Sequence, residues 1–194
     1  MTEGGPRLYS YCLVCQSAHT QPIMASIQAM APCRVISPRI IQRKWTKGKA
    51  EEKDHPFFPG YLFLYTEEKI PDFYRIRGIL GVIRCLGAET GEYELSGEDL
   101  RFAEMLYSLD GVIGIQEAVQ EGDQVRLVKG PFADVVGKIL FMDRKKKRAK
   151  VQFTFDHTVY SLWVGVDILE KTSTDFCRKA EKAKKKLEDC ASAD

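Results

Sequence analysis

Up to residue 109 the chain alternates between strand-like and helix-like hydrophobic patterns. Residues 8–15, "LYSYCLVC", are rich in aromatic and branched side chains and predict a strand. The segment 19–31, "HTQPIMASIQAMA", has apolar residues at helical spacing, with Thr20 as its predicted cap. Two strands, a short helix, another strand and a helix over 96–109 follow, and Leu100, Met105 and Leu109 are among the core candidates of that last helix. The order βαββαβα predicts an α+β fold with helices packed on a mainly antiparallel sheet.

The stretch "HPFFPGYLFLY" at 55–65 begins as a turn and continues as a strand with two apolar faces. Residues two apart in a strand share a face, so Leu62 and Leu64 lie opposite an aromatic face. That aromatic face consists of Tyr61, Phe63 and Tyr65. Such a strand is either buried on both sides, or its aromatic side is a docking surface. The charged segment 46–56 before it predicts a mobile loop.

Beyond residue 110 the pattern is that of an all-β unit. Short strands recur at roughly ten-residue spacing with turn residues between them, as in a small barrel. Val151, Phe153 and Phe155 alternate with polar residues, which predicts one buried and one wet face. The density of Val and Phe at period two favours a barrel that is permanently formed. A charged tail follows the predicted barrel at 172–194.

The composition limits the classes of function. The chain has 194 residues, a net charge of +2 and a pI of about 8.1, so any nucleic-acid site must be local. It has no apolar stretch long enough for a bilayer and no signal-peptide pattern, which predicts a cytoplasmic monomer without membrane contact. Three scattered histidines and no catalytic motif argue against an enzyme or a cofactor.

Six cysteines without an export signal predict reduced thiols. Cys12 and Cys15 form a CxxC pair, but no second pair at a comparable spacing completes a zinc site. A strand would also send these two side chains to opposite faces. We therefore expect buried free thiols that act as small hydrophobes, and no metal site.

Two motifs, taken together, resemble the NusG family. "FFPGYLFL" is similar to the aromatic-Pro-Gly-Tyr strand of the NusG N-terminal (NGN) domain. "EGDQVRLVKGPFADVVGKILFMDRKKKRAKV" is similar to a KOW motif, and the two occur in the family's order and separation. The resemblance implies an NGN sandwich at 1–109, a linker at 110–121 and a small SH3-like KOW barrel at 122–171.

The resemblance also implies partners and site residues. In this family the aromatic face docks on the clamp helices of bacterial RNA polymerase. Carried over to this chain, the docking residues are Phe58, Pro59, Gly60, Tyr61 and Phe63. Basic residues that would meet nascent RNA or non-template DNA are Arg39, Arg43, Lys44, Lys47, Arg75 and Arg77. Gly130 and Phe132 in the first KOW turn would bind a ribosomal protein or another factor.

The segments "LSGEDLRFAEMLYSLDGVIGI" and "WVGVDILEK" resemble the LoaP branch of specialised NusG paralogues most closely, and "FPGYLF" is also similar to the strand of RfaH. Asp156, His157 and Thr158 occupy a turn that is Phe-Gly-Arg in housekeeping members, where it helps bind Rho or ribosomal protein S10. The resemblance therefore implies a processive antiterminator of long operons. Two alternatives stay open: a housekeeping elongation and termination factor of the same family, and a ribosome-associated KOW protein.

Overall fold

The computed structural model describes residues 8–46, 49–70, 73–121, 124–129 and 138–169. The elements of its N-terminal part are β1 (Tyr9–Cys15), α1 (Thr20–Met30), β2 (Arg34–Ile36), β3 (Arg39–Thr46), β4 (Lys49–Pro56), β5 (Tyr61–Thr66), α2 (Tyr74–Arg77), β6 (Val82–Cys85), α3 (Gly97–Ser108) and β7 (Val112–Ile113). They are followed by β8 (Gln116–Glu121), β9 (Gln124–Lys129), β10 (Lys138–Asp143), β11 (Arg148–Phe155) and β12 (Thr158–Leu169), which we call the C-terminal sheet. This content confirms the predicted α+β class.

The central sheet of the N-terminal part has the strand order β2-β5-β1-β6, and all its neighbours are antiparallel. In its register Leu13 lies opposite Leu62, and Val35 lies opposite Leu64. Apolar side chains on adjacent strands therefore meet on the same face, which is how cross-strand pairs stabilise a sheet. The aromatic strand β5 is an inner strand, so both of its edges are hydrogen-bonded.

Both faces of this sheet are covered. One face carries Leu62 and Leu64 and packs against Ile23 and Ile27 of α1. The opposite face packs against α3, whose buried side chains are Phe102, Ala103 and Leu106. The buried face of α3 thus differs from the sequence prediction, which favoured Leu100, Met105 and Leu109 as core candidates; Leu100 and Met105 are half-buried beside the core instead.

The start of α1 corrects a second expectation. Thr20 is the first residue of the helix, and His19 precedes it in the cap position without a side-chain hydrogen bond. The Thr20 hydroxyl donates instead to the carbonyl oxygen of Ser17, at 2.9 Å. The chain enters α1 through the 3-10 turn Ser17–His19, whose backbone takes the place that a side-chain cap would fill.

The segment 46–56 was expected to be a mobile loop, and this prediction is wrong. Residues 49–56 form β4, which pairs with β3 along its whole length. Cross-strand charges explain the pairing, because Arg43 lies opposite Glu52 and Lys44 lies opposite Glu51. Arg39 also forms an ion pair with Asp54, with Nη2 2.6 Å from Oδ2. The hairpin is therefore built from charge pairs, a pattern that apolar periodicity does not detect.

The C-terminal sheet has the order β10-β11-β12-β8-β9. Strand β8 falls inside the predicted linker at 110–121, where it pairs in parallel with the end of β12. The segments "VYSLWVG" and "VDILEK" each predict a strand of their own, but Thr158–Leu169 is one continuous strand, β12, of 12 residues. The predicted alternation of Val151, Phe153 and Phe155 is confirmed, since all three are buried.

The domain division at residues 109, 121 and 171 stays a prediction, and the predicted tail at 172–194 lies outside the described residues. Within the described part of the chain, no helix has the length and apolar character needed to cross a membrane.

Candidate functional site

The turn before β5 is set by Pro59 and Gly60. Gly60 has a φ of +88°, and a Cβ at this position would collide with the carbonyl oxygen of Cys15. The Tyr61 amide donates to the Phe58 carbonyl at 3.0 Å, and the Cys15 amide donates to the Gly60 carbonyl at 2.7 Å. The turn therefore needs glycine both for its conformation and for its close approach to β1.

The turn and strand deliver an aromatic cluster to the face that α3 covers. Phe58 and Phe63 are 6% and 0% exposed, and both contact Phe102 of α3, with ring centroids 5.9 Å away in each case. Phe102 is stacked on Phe153 of β11 at 5.5 Å, with the ring planes only 8° apart. Phe155 lies 5.4 Å from Phe63. The cluster therefore joins the N-terminal part and the C-terminal sheet in one core.

The predicted docking residues thus lie under the C-terminal sheet. Phe58 contacts Phe153 at 5.7 Å and Tyr160 at 4.9 Å. Tyr61 is half-buried, and its hydroxyl lies 3.2 Å from the hydroxyl of Tyr160. Burial, followed by that hydrogen bond, raises the pKa of Tyr61 to about 12. The five residues named from the sequence lie together, but only Pro59 is exposed.

A polar contact at the β11–β12 turn joins the two parts beside the aromatic cluster. The Arg84 guanidinium of β6 forms an ion pair with Asp156, whose backbone amide donates to the Asp99 carboxylate of α3 at 3.1 Å. Burial raises the pKa of Asp99. Asp156 and His157 both have positive φ, at 49° and 57°. The turn at Asp156 therefore contacts the chain's own N-terminal part.

A second polar contact lies at the far end of β12. Arg43 of β3 forms a bidentate ion pair with Asp167, and its Nε donates to Glu52 at 3.1 Å. The hydrogen bond to Asp167 raises the pKa of Arg43 and lowers the pKa of that carboxyl. Gln42 donates from Nε2 to the Trp163 carbonyl at 3.0 Å. Arg43, predicted to touch nucleic acid, is thus engaged in holding the C-terminal sheet.

The other predicted nucleic-acid residues lie in two places. Arg39 and Lys44 are on β3, where Arg39 is paired with Asp54. Arg75 and Arg77 are exposed on the short helix α2, beside Tyr74, whose ring is 79% exposed. The five described residues of the predicted six therefore lie on two separate elements, β3 and α2. Lys47, and the predicted KOW residues Gly130 and Phe132, lie outside the described residues.

Sequence reasoning missed several residues that organise this site. These are Phe57, Arg84, Asp99, Phe102, Phe153, Phe155 and Tyr160. Their spacing along the chain gave no sign that they meet, because each fits a separate helix or strand pattern. The one usable signal was the turn at Asp156, where the sequence differs from the motif that it otherwise resembles.

The CxxC pair has the burial that the sequence predicted for it. Cys12 faces the aromatic cluster and Cys15 faces α1, and both are buried free thiols. Burial raises the pKa of the Cys12 thiol well above its ordinary range. Among the residues that the structure describes, no group of three or more His, Cys, Asp or Glu side chains could hold a metal ion.

The ion pair between Arg84 and Asp156 can be tested by exchanging the charges. We expect Arg84→Asp and Asp156→Arg each to destabilise the protein, and the double variant to recover about 1 kcal/mol of coupling, since the pair is partly exposed. Backbone strain at residue 156 cancels in the cycle. Urea unfolding of the four proteins measures the coupling, which should shrink in 1 M salt. A coupling of zero at low salt would contradict this contact.

Comparison with known proteins finds a family to which the N-terminal part is similar. A family model described as "Transcription termination factor nusG" matches residues 10–103. The Transcription termination/antitermination protein NusG of Thermus thermophilus is 33% identical over 118 residues, covering 55% of this chain and 62% of that protein. Its namesake from Staphylococcus carnosus is 27% identical over 122 residues, covering 61% and 66%. The chain therefore matches less than two thirds of the length of these relatives.

A solved structure gives the same indication for the fold. The structure described as "Domain interaction in Thermotoga maritima NusG" aligns with a TM-score of 0.50 and 18% identity, covering 84% of this chain and 96% of that one. At this identity the likeness concerns the fold alone. The aromatic strand β5, helix α1, the first part of α3 and Arg84 fall within the matched segment. Residues 10–103 are therefore similar to the NusG family.

Proposed function

We propose that this chain is a NusG-type transcription elongation factor that binds bacterial RNA polymerase through the aromatic face of β5. The observation that carries the proposal is the position of this face inside the segment matched by the family model. Aromatic rings suit an interface because they bring large apolar areas with few rotors to freeze. The residues of the proposed docking face are Phe58, Pro59, Gly60, Tyr61 and Phe63.

Docking through this face requires the C-terminal sheet to move away. Phe58 and Phe63 are covered by Phe153 and Phe155, so the same rings cannot contact a polymerase while the described arrangement persists. The polar contacts that accompany the cluster are partly exposed ion pairs, which are individually weak. The arrangement described here is thus proposed to be a closed form, in equilibrium with an open form that binds.

The finer proposal is processive antitermination of selected long operons, guided by a nucleic-acid signal in the cytoplasm. It is supported by the resemblance to LoaP-type paralogues and by the turn at Asp156, which is occupied by an internal contact. Exposed Arg75 and Arg77 are the proposed contacts to the signal, since phosphates need cations on flexible stems. The proposed role is regulatory and needs neither catalysis nor a cofactor.

A housekeeping role in elongation and termination is the second candidate, because the named relatives are termination/antitermination proteins. A ribosome-associated role would rest on the KOW resemblance, whose partner-binding residues Gly130 and Phe132 are outside the described part. Co-sedimentation with ribosomes in the absence of transcription would favour that third role.

Transcription through a terminator in vitro tests the proposal. With purified bacterial RNA polymerase, we expect the protein to raise terminator read-through on templates that carry the leader of a long operon, and not on a leaderless template. The variant Arg75→Glu/Arg77→Glu should lose this leader dependence, because like charges repel the phosphates. Equal effects on all templates would favour the housekeeping role. Unchanged read-through on every leader would overturn the antitermination proposal.

A further inference from the structure

The outer face of the C-terminal sheet carries a row of side chains that neither the core nor the proposed docking face uses. Phe141 of β10 lies opposite Lys150 of β11, which lies opposite Trp163 of β12. The neighbouring Ala149 and Val151 are fully buried. Since successive side chains of a strand alternate between faces, the row of Phe141, Lys150 and Trp163 points away from the core.

A β-bulge adds to the exposed apolar surface of this row. The register between β10 and β11 shifts between Ile139 and Phe141, which leaves Leu140 as the extra residue. Leu140 and Phe141 are 44% and 58% exposed as a result. A bulge re-aims side chains locally, and adjacent exposed apolar side chains on a small sheet are typical of a contact surface.

The aromatic rings of the row are already arranged against each other and against a cation. Phe141 of β10 and Trp163 of β12 form an edge-to-face contact across β11, with ring centroids 5.9 Å apart and ring planes at 86°. The Arg148 guanidinium lies 4.2 Å from the centroid of the Trp163 ring. Phe141, Trp163 and Arg148 therefore pack together in one surface patch.

The turn next to the patch concentrates positive charge. Six of the seven residues from 144 to 150 are Lys or Arg, although the whole chain carries a net charge of only +2. The four residues of the turn, Arg144, Lys145, Lys146 and Lys147, are all exposed. Asp143 offsets part of this charge through its ion pair with Arg148, at 3.3 Å. The remaining charge makes the patch complementary to a polyanion.

We propose that this outer face binds single-stranded RNA, with a base stacked against the exposed ring of Phe141, which the half-buried Trp163 supports, and phosphates held by the basic turn. Aromatic side chains beside a positively charged track are the combination that binds single strands with little sequence preference. An acidic protein would use the cations but gain little from the exposed rings. The choice of RNA over DNA rests on the proposed function, because the transcript is the single strand that leaves a transcribing polymerase.

The site is separate from the other proposed surfaces. Lys150 lies on the face of β11 opposite to Val151 and Phe153, so the aromatic core and the RNA patch occupy different sides of the same strand. Phe141 and the basic turn are exposed in the closed form, so binding of RNA to them needs no separation of the two parts.

Fluorescence anisotropy with the full chain and a labelled oligouridine of about 12 nucleotides tests the site, because single-strand sites span several nucleotides. We expect Phe141→Ser to weaken binding about tenfold, through the loss of one stacking partner. The double variant Lys145→Ala/Lys147→Ala should lower the slope of log affinity against log salt by about 1 to 1.5. The matched control is Val159→Ser, at an equally exposed apolar position (58%) on β12; it should bind as the wild type does.

Each contrary result has a definite meaning. Equal affinity of the wild type and Phe141→Ser, or no binding by the wild type at low salt, would overturn the proposal. If only Arg75→Ala/Arg77→Ala weakened binding of the oligouridine, the RNA site would lie on the N-terminal part instead. Tighter binding of oligothymidine than of oligouridine would overturn the choice of RNA. Polymerase is absent from the assay, so failure here is distinct from failure of the docking proposal.

Discussion

Replacing Phe58 by Asp is expected to weaken binding to bacterial RNA polymerase by at least about 100-fold, whereas Phe153→Asp is expected to preserve or strengthen it. The proposed docking face would have to bury the new carboxylate at residue 58 against the polymerase. Burying an unpaired charge costs several kcal/mol, which is enough for the expected loss.

Phe153 provides the matched control because it faces Phe58 across the closed interface. The two rings lie 5.7 Å apart and both are buried, so Asp at either position disturbs the same aromatic cluster. Only Phe58 belongs to the proposed docking face. In the closed form the docking face is covered, so only chains in the open form can bind polymerase. Phe153→Asp should destabilise the closed form and thereby raise the apparent affinity for polymerase.

The measurement is the dissociation constant of each full-length variant with purified polymerase, with circular dichroism as a check that the N-terminal sheet persists. Similar affinities of Phe58→Asp and Phe153→Asp for polymerase would contradict the docking proposal. Loss of binding in both variants together with loss of helix signal would indicate unfolding, and Tyr61→Asp then serves as the half-buried replacement at the same face.

Replacing Phe102 by Ala is expected to lower the free energy of unfolding by about 4 kcal/mol. Phe102 is fully buried, and its ring contacts rings from three segments of the chain: Phe58, Phe63 and Phe153. The neighbouring rings are fixed in the turn before β5 and on strands of two sheets, so they cannot collapse easily into the space that Ala would leave. The loss should therefore lie in the upper range for buried phenylalanines.

Chemical denaturation of the wild type, Phe102→Ala and Phe141→Ala measures this effect. Phe141 is the same residue type at 58% exposure, and its replacement should change stability by no more than about 0.5 kcal/mol. Because the cluster includes both parts of the chain, the denaturation midpoints followed by the helix signal and by the strand signal should shift together in Phe102→Ala. An equal effect of the two substitutions would contradict the shared core described here.

Local patterns predicted most of the elements. The period-two run of β5, the helical spacing of α1 and α3 and the alternation in β11 each depend on residues close in sequence, and each was confirmed. The β3–β4 hairpin was not predicted, because its pairing relies on charges such as Arg43 and Glu52 that face each other across two strands. Hydrophobic periodicity carries no information about such pairs.

The sequence by itself determined the α+β class, the aromatic face of β5 and the Pro-Gly turn that shapes it, since these follow from side-chain alternation and glycine's freedom at positive φ. Only the tertiary structure decided that Phe58 and Phe63 lie against Phe153 and Phe155. Burial of a ring is dictated by its sequence pattern, but the identity of the surface that buries it is not. The hydrophobic effect is non-directional, so it was the assembled shape of both parts that selected the partner.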